Sequence, residues 1–246
     1  MRIGIFSDTH GNLAALEAVL ATLRAQGCDT FACIGDTVGY GPLPNECCTI
    51  VRNVASVVIK GNHDAAVARD MDYSYYYLAA RRALDHHHDI LAADNLEWLK
   101  SLPYEGRIGE VYFTHGSPID PLEFEYVFTP EQAAACLEVW ERLGKITFVG
   151  HSHLCKSFAV SQDRERAFEV VTTDFEVRPG FRYVVSVGSV GQPRDRDARA
   201  ACVVYDVEDS RCRFLRVPYD IDATAKLIYM NPHLADSFAT RLFAGV

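Results

Sequence analysis

The stretch "ASVVIKGNHD", residues 55–64, passes from an apolar run into three consecutive polar side chains. Ala55-Ser56-Val57-Val58-Ile59 is short and β-branched, which reads as a buried strand, and Gly61 marks the turn that ends it. Asn62, His63 and Asp64 then sit just beyond a strand's carboxyl end, where α/β sheets bind their ligands. Each of the three can ligate a metal, move a proton or shape a turn. The stretch alone leaves these roles open.

The same punctuation recurs along the chain. Ile3–Phe6 is followed by "SDTHGN", which brings Asp8 and His10, and Phe31–Ile34 by "GDTVGYGP", which brings Asp36. Val111–Phe113 runs into "THGSP" with His115, and Ile146–Val149 into "GHSH" with His151 and His153. Five strand-like runs thus end in metal-capable side chains, and five of the 9 histidines fall at these edges, which chance explains poorly. Asp8 and His10, like His151 and His153, are spaced i, i+2, and in extended backbone such a pair points the same way. Gly11, Gly35, Gly61, Gly116 and Gly150 flank the candidates and permit sharp turns.

Seven candidate ligands result: Asp8, His10, Asp36, Asn62, His115, His151 and His153. One tetrahedral ion takes about four ligands, so the set suits two ions that share a carboxylate. A donor set of imidazole, carboxylate and amide suits Mn, Fe, Zn or Ni better than an all-oxygen or all-thiolate site would, and two divalent ions, Mn2+ first, are the expected cofactors. Two such ions exceed the charge of Asp8 and Asp36, so the site stays positive and attracts an anion. A metal pair about 3.5–4 Å apart supports in-line displacement at phosphorus.

The rest of the chain frames this constellation. Up to about residue 150 strand and helix signals alternate. Asn12 to about Gln26 reads as one helix, Thr129-Pro130-Glu131-Gln132 as the capped start of another reaching Leu143, and Asp94 with Glu97 as a third. Beyond residue 150 the runs Phe158–Val160, Phe168–Thr172, Tyr183–Val187, Ala201–Val207 and Arg213–Val217 suggest a second, mostly antiparallel sheet. A helical tail from about Ala223 to Phe243 is interrupted at Asn231-Pro232. Two sheets packed face to face with helices outside would hold residues 1–246 as a single domain.

Composition sets the limits. A formal net charge of −9 argues against tight, nonspecific nucleic-acid binding and leaves a small anionic substrate open. No run approaches the roughly 18 apolar residues a membrane helix needs. Met1-Arg2-Ile3-Gly4 leads straight into a strand-like segment without a signal-peptide pattern, so a cytoplasmic protein is expected. The 8 cysteines form no CxxC pair and read as reduced, buried small hydrophobes.

"SDTHGN", "GDTVGYG", "GNHD", "THG" and "GHSH", in that order, resemble the calcineurin-like metallophosphoesterases. The motifs span Asp8 to His153, about 60% of the chain. The resemblance implies a four-layer αββα sandwich of two mixed β-sheets flanked by helices. It implies one metal on Asp8, His10 and His153, a second on Asn62, His115 and His151, and Asp36 bridging them. It further implies attack on phosphorus by a hydroxide bridging the two metals, with His63 protonating the leaving group and Asp64 holding the His63 imidazole.

Within that family the protein Ser/Thr phosphatases carry an arginine in "GDxVDRG" and have "GNHE". Here Val38-Gly39-Tyr40-Gly41 and Asp64 stand instead, which favours a phosphodiester over a dianionic monoester. Symmetrical dinucleoside polyphosphate hydrolysis and phosphomonoesterase or protein phosphatase activity are the alternatives. A non-catalytic scaffold like the retromer subunit is a further one, but that scaffold has a degraded metal site and every ligand position is filled here. "GSVGQPRD", residues 188–195, resembles a segment of a bacterial subgroup of the family.

Four further features stand outside the ligand set. Tyr40 or its backbone, in the loop leaving Asp36, runs beside the site as a candidate substrate contact. Arg194 reaches a substrate phosphate or belongs to a solvated turn. His86-His87-His88 looks like a metal tract but follows a helix-like segment and reads better as a solvated helix face, because consecutive helical residues point about 100° apart and chelate one ion poorly. Tyr73, Tyr75, Tyr76 and Tyr77 read as packing first and as a stacking surface second.

Overall fold

A computed structural model describes residues 1–163 and 165–246. In chain order the elements are β1 (Arg2–Phe6), α1 (Leu13–Ala25), β2 (Thr30–Cys33), α2 (Pro44–Val54), β3 (Val57–Val58), α3 (Asn62–Ala68), α4 (Leu78–Ile90) and α5 (Ala93–Ser101). There follow β4 (Glu105–Ile108), β5 (Val111–Thr114), α6 (Pro130–Ala135), a 3-10 turn (Cys136–Arg142), β6 (Ile146–Val149), β7 (Cys155–Ser161) and β8 (Arg166–Glu169). The chain ends with β9 (Asp174–Glu176), β10 (Arg182–Val187), β11 (Ala200–Asp206), β12 (Arg211–Val217), α7 (Ile221–Met230) and α8 (Asp236–Ala244).

Two six-stranded sheets form, in the orders β3-β2-β1-β11-β12-β9 and β4-β5-β6-β10-β7-β8. Both are mixed: β1 and β2 run parallel while β1 and β11 run antiparallel, and β6 and β10 run parallel while β10 and β7 run antiparallel. This is the αββα sandwich expected. The strands after residue 150 do not make a sheet of their own, however. They divide, with β9, β11 and β12 extending the first sheet and β7, β8 and β10 the second.

Side-chain alternation explains the layering. Ile3 and Ile5 of β1 join Phe113, Phe148, Val185 and Val203 in an apolar layer between the sheets. Phe6 points the other way, into a cluster with Leu16, Val19, Leu20 and Leu23 of α1. Burying such side chains is worth roughly 1.5–3 kcal/mol each. Asn12 caps α1 by accepting from Ala15 N–H at 3.2 Å, and Thr129 and Gln132 make the expected reciprocal cap of α6. The helix expected to reach Leu143 is α6 followed by the 3-10 turn, within which Val139 leaves helical φ/ψ. The interruption at Asn231-Pro232 separates α7 from α8.

All eight cysteines are free thiols; seven are buried and Cys155 is half-buried. Among the described residues, no helix is long and apolar enough to cross a membrane.

Candidate metal centre

The loops that carry the polar residues are tied together through their main chains. Asp8 N–H donates to the Gly35 carbonyl at 3.0 Å, and His10 N–H to the Asp36 carbonyl at 2.9 Å. Gly150 N–H donates to the His115 carbonyl at 2.9 Å, and Gly191 N–H to that of Asp8 at 2.8 Å. The loops after β1, β2, β5, β6 and β10 therefore meet at one edge of the sandwich. Asp8, His10, Asp36, Asn62, His115 and His153 are buried there, and His151 is half-buried.

Extended backbone does not align the i, i+2 pairs. Asp8, His10, Asp36, His151 and His153 have φ of 55°, 49°, 53°, 63° and 58°, all in the left-handed region. Side chains there cost on the order of 1 kcal/mol or more each. The pairs converge through tight turns, and such strain is characteristic of functional sites.

Backbone carbonyls orient three imidazoles. Nδ1 of His10 lies 3.0 Å from the Val38 oxygen, Nδ1 of His115 2.8 Å from that of Ile34, and Nδ1 of His153 2.6 Å from that of Gln192. A carbonyl only accepts, so each Nδ1 carries a proton and each Nε2 is turned to the centre. Burial holds His10 and His153 below the usual imidazole range, so both are neutral. Their Nε2 atoms nevertheless lie 3.2 Å apart. Two lone pairs this close repel unless they share a cation. Buried Asp8 Oδ1 lies 3.2 Å from His153 Nε2 and accepts no hydrogen bond.

The charges point the same way. Burial disfavours ionisation of Asp8 and Asp36, but the charge of the nearby His115 imidazole works against it, and both stay below the usual carboxylate range. Burial likewise disfavours the His115 cation, yet Asp36, 3.4 Å away, and Asp8 outweigh it and raise that imidazole to about 9. Two buried carboxylates thus draw positive charge into the site. Nitrogen and carboxylate donors with unused lone pairs fit divalent metals.

Three groups place their donor atoms within 4.8 Å of one another: Asp8, His10 and His153; Asp36, His115 and His151; and His10, Asp36 and His63. Asp36 joins two of them, and its Oδ2 is 3.6 Å from His10 Nε2 and 3.4 Å from His115 Nε2, the place of a shared carboxylate. Asn62 Nδ2 donates to Tyr76 Oη at 2.7 Å, which leaves Oδ1 facing His115 Nε2 at 3.1 Å. The fold thus brings together all seven expected ligands.

"GNHD" starts the short helix α3, and its last two residues face different partners. Asp64 Oδ1 accepts from Thr37 N–H at 2.9 Å and Val38 N–H at 3.3 Å, and Oδ2 from Gly61 N–H at 3.0 Å. It braces the Asp36 loop and does not hold His63, in contrast to the orienting role expected. Neighbouring helical residues diverge by about 100°, so a direct pairing is geometrically poor. Burial and Asp36 push Asp64 up to about 7. Among the described residues the buried Nδ1 of His63 has no hydrogen-bond partner, and burial pushes the ring down to about 4 against the pull of Asp36.

His63 packs instead against the loop after Asp36. Its ring centroid is 4.5 Å from Tyr40 and 4.7 Å from His10. Gly39 has φ +94°, and a Cβ there would lie 2.1 Å from His63 Nδ1, so only glycine fits. His87 clamps this loop from behind. Its Nδ1 accepts from Gly39 N–H at 2.9 Å and its Nε2 donates to the Gly41 carbonyl at 2.9 Å.

The histidine tract is therefore not one solvated face. His87 is wholly buried, His88 Nδ1 lies 2.7 Å from the Val67 oxygen, and half-buried His86 stacks on His233 at 4.4 Å. The signal was in the spacing: Ala80, Ala83, Leu84 and His87 form the buried stripe of α4.

A cavity of about 600 Å³ opens over the centre, lined in part by Tyr40, His63, Tyr75, Tyr126, Arg194 and Arg241. The tyrosine cluster divides: Tyr73 and Tyr76 pack on a helical core, Tyr76 also lining the cavity, while Tyr75 and Tyr77 are exposed there. Tyr126 lies flat on His151, with centroids 4.2 Å apart and planes at 14°. Neither Tyr126 nor Arg241 stands near a sequence motif that would mark it. A larger cavity, about 710 Å³, lies by β8 and β9, away from the metal-capable groups, and its Asp174 and Arg211 pair with each other.

Comparison with known proteins follows the same line. The family description "calcineurin-like phosphoesterase" matches residues 1–188. An uncharacterized protein of Methanocaldococcus jannaschii is 33% identical over 247 residues, covering 99% of this chain and 98% of its own. The crystal structure of a metallophosphoesterase from Sphaerobacter thermophilus matches with a TM-score of 0.85 and 36% identity, over 100% of this chain and 99% of that one. A hypothetical protein from Pyrococcus horikoshii shares the fold, with a TM-score of 0.78 and 20% identity over 100% and 98% of the chains.

Proposed function

Because the chain belongs to the calcineurin-like phosphoesterase family, we propose that it is a metal-dependent phosphodiesterase acting on a small or nucleotide diester. Asp8, His10 and His153 would hold one ion and Asn62, His115 and His151 the other, with Asp36 shared. When bound, the ions, Mn2+ foremost, supply Lewis acidity at the phosphoryl oxygens and a nucleophile from water. The convergence of two neutral imidazole nitrogens at 3.2 Å supports the metal reading.

The chain's own groups do the rest. With Nδ1 of His63 against Gly39, Nε2 is the nitrogen left to meet a substrate and give a proton to the leaving oxygen. An anionic phosphoester beside the ring favours its protonated form and so opposes the effect of burial. The Arg194 guanidinium lies over the Tyr40 ring at 5.9 Å and, among the described residues, has no carboxylate partner. It is placed to take a non-bridging phosphoryl oxygen.

The diester preference rests on Tyr40. It occupies the position of the motif arginine in the protein Ser/Thr phosphatases, and its buried ring packs on His10 and His63. Without that guanidinium the second negative charge of a monoester loses a partner. The same reading places the chain in the subgroup marked by "GSVGQPRD" and takes residues 1–246 as one catalytic domain.

Loaded with Mn2+, the protein should hydrolyse bis(p-nitrophenyl) phosphate with a kcat/KM at least about tenfold above that for p-nitrophenyl phosphate. A preference for the monoester would overturn the diesterase reading. Full metal occupancy with no turnover of either ester would overturn the enzymatic one.

A further inference from the structure

Arg241 belongs to α8, the element farthest along the chain from the ligand loops, yet it lines the cavity over the metal centre. It lies one turn after Phe238, whose ring meets Tyr40 at 5.0 Å, so both project from one helix face toward the Tyr40 loop. Among the described residues its side chain has no ion pair and no hydrogen bond. An arginine in a last helical turn also complements the helix dipole, but that effect does not require the side chain to line a cavity.

The cavity's charges are sorted by segment. Both cations come from the segments that flank Tyr40, Arg194 in the loop after β10 and Arg241 in α8. Both exposed carboxylates on its wall, Glu123 and Glu125, come from the segment carrying Tyr126. That segment also offers an aromatic surface. Tyr126 is 44% exposed and Tyr75 is 72% exposed, and exposed rings at a cavity mouth suit a planar base. Carboxylates beside them accept hydrogen bonds from sugar hydroxyls or base amines and repel an anion.

We propose that Arg241 is the anchor for a second phosphate, and that the substrate is a small nucleotide whose scissile phosphoester neighbours another phosphate. The base lies on the Tyr75–Tyr126 side, the scissile group at the centre under Arg194, and the second phosphate at Arg241. The net charge of −9 argues against tight, nonspecific binding of long nucleic acid and favours short ligands. The proposal rests on the phosphoesterase reading for the scissile step but not for binding.

Binding is therefore the primary test. Calorimetry on the Mn2+-loaded protein compares thymidine 3′,5′-bisphosphate with thymidine 5′-monophosphate. The bisphosphate should bind at least about tenfold tighter, Arg241→Gln should abolish that advantage, and Arg241→Lys should keep part of it. Unchanged Tm in both variants establishes that they fold. Equal affinities in the unaltered protein, or an advantage that survives Arg241→Gln, would overturn the proposal.

A turnover arm separates it from the diesterase reading. Dithymidine monophosphate with a 5′-terminal phosphate should be cleaved faster than the same dinucleotide without it. A bisphosphate advantage in binding with no cleavage of any diester would uphold the subsite and sink the diesterase. Cleavage of bis(p-nitrophenyl) phosphate without the bisphosphate advantage would do the reverse.

Discussion

His63 stands where two roles meet. Its ring shares a donor group with His10 and Asp36, so coordination is within reach, while its neighbour Asn62 already faces His115. If His63 gives the proton, His63→Ala should lower kcat by about 10²–10⁴ with both metals retained. Asn62→Ala should instead leave one ion weakly held, with metal content falling toward one equivalent at limiting Mn2+. Elemental analysis of both variants decides it, and metal lost from His63→Ala would make His63 a ligand. The convergence of the candidate ligands was legible in the sequence because carboxylate, imidazole and amide groups rarely close five strands by chance. The task of Asp64 was not, since a carboxylate that receives backbone N–H groups looks, in sequence, like one that steadies an imidazole.

The Tyr40 loop shows how an element reaches a site it does not enter. Helix α4 contributes no donor to the centre, but His87 fixes Gly39 and Gly41, and Gly39 fixes the His63 ring. Burial pushes His87 down to about 3, below its unfolded value of about 6.5. Between those values the unfolded chain binds the extra proton, so stability falls as pH drops from 6.5 toward 3, by roughly 5 kcal/mol in full. Urea unfolding should show that His87→Leu flattens this acid limb while lowering stability at pH 7.5. Parallel curves for the two proteins would rule out a buried neutral His87. The helix and its apolar stripe were legible from spacing, whereas the loop it braces was not, because nothing in the sequence shows which backbone groups a buried imidazole meets.

At the scale of the molecule, the candidate ligands come from both sheets: Asp8, His10, Asp36 and Asn62 from the edge of the first, His115, His151 and His153 from that of the second. Bound ions would tie the sheets together and neutralise two buried carboxylates. Chelation should therefore lower Tm, by on the order of 10 °C relative to protein in metal at a thousand times Kd. A Tm indifferent to chelator would show that the folded state gains nothing from metal. The layered architecture was legible from the rhythm of strands and helices. The division of the late strands between two sheets was not, because alternation marks a strand's faces and leaves its neighbours unstated.

The apolar layer between the sheets acquires a second duty from this arrangement. Phe113, Phe148, Ile5 and Val185 are wholly buried, yet their combined bulk is the gauge block that spaces one half of the candidate centre from the other. A methylene removed there alters a machining tolerance of the catalyst, so the core of this enzyme is held to a specification that folding alone would not impose.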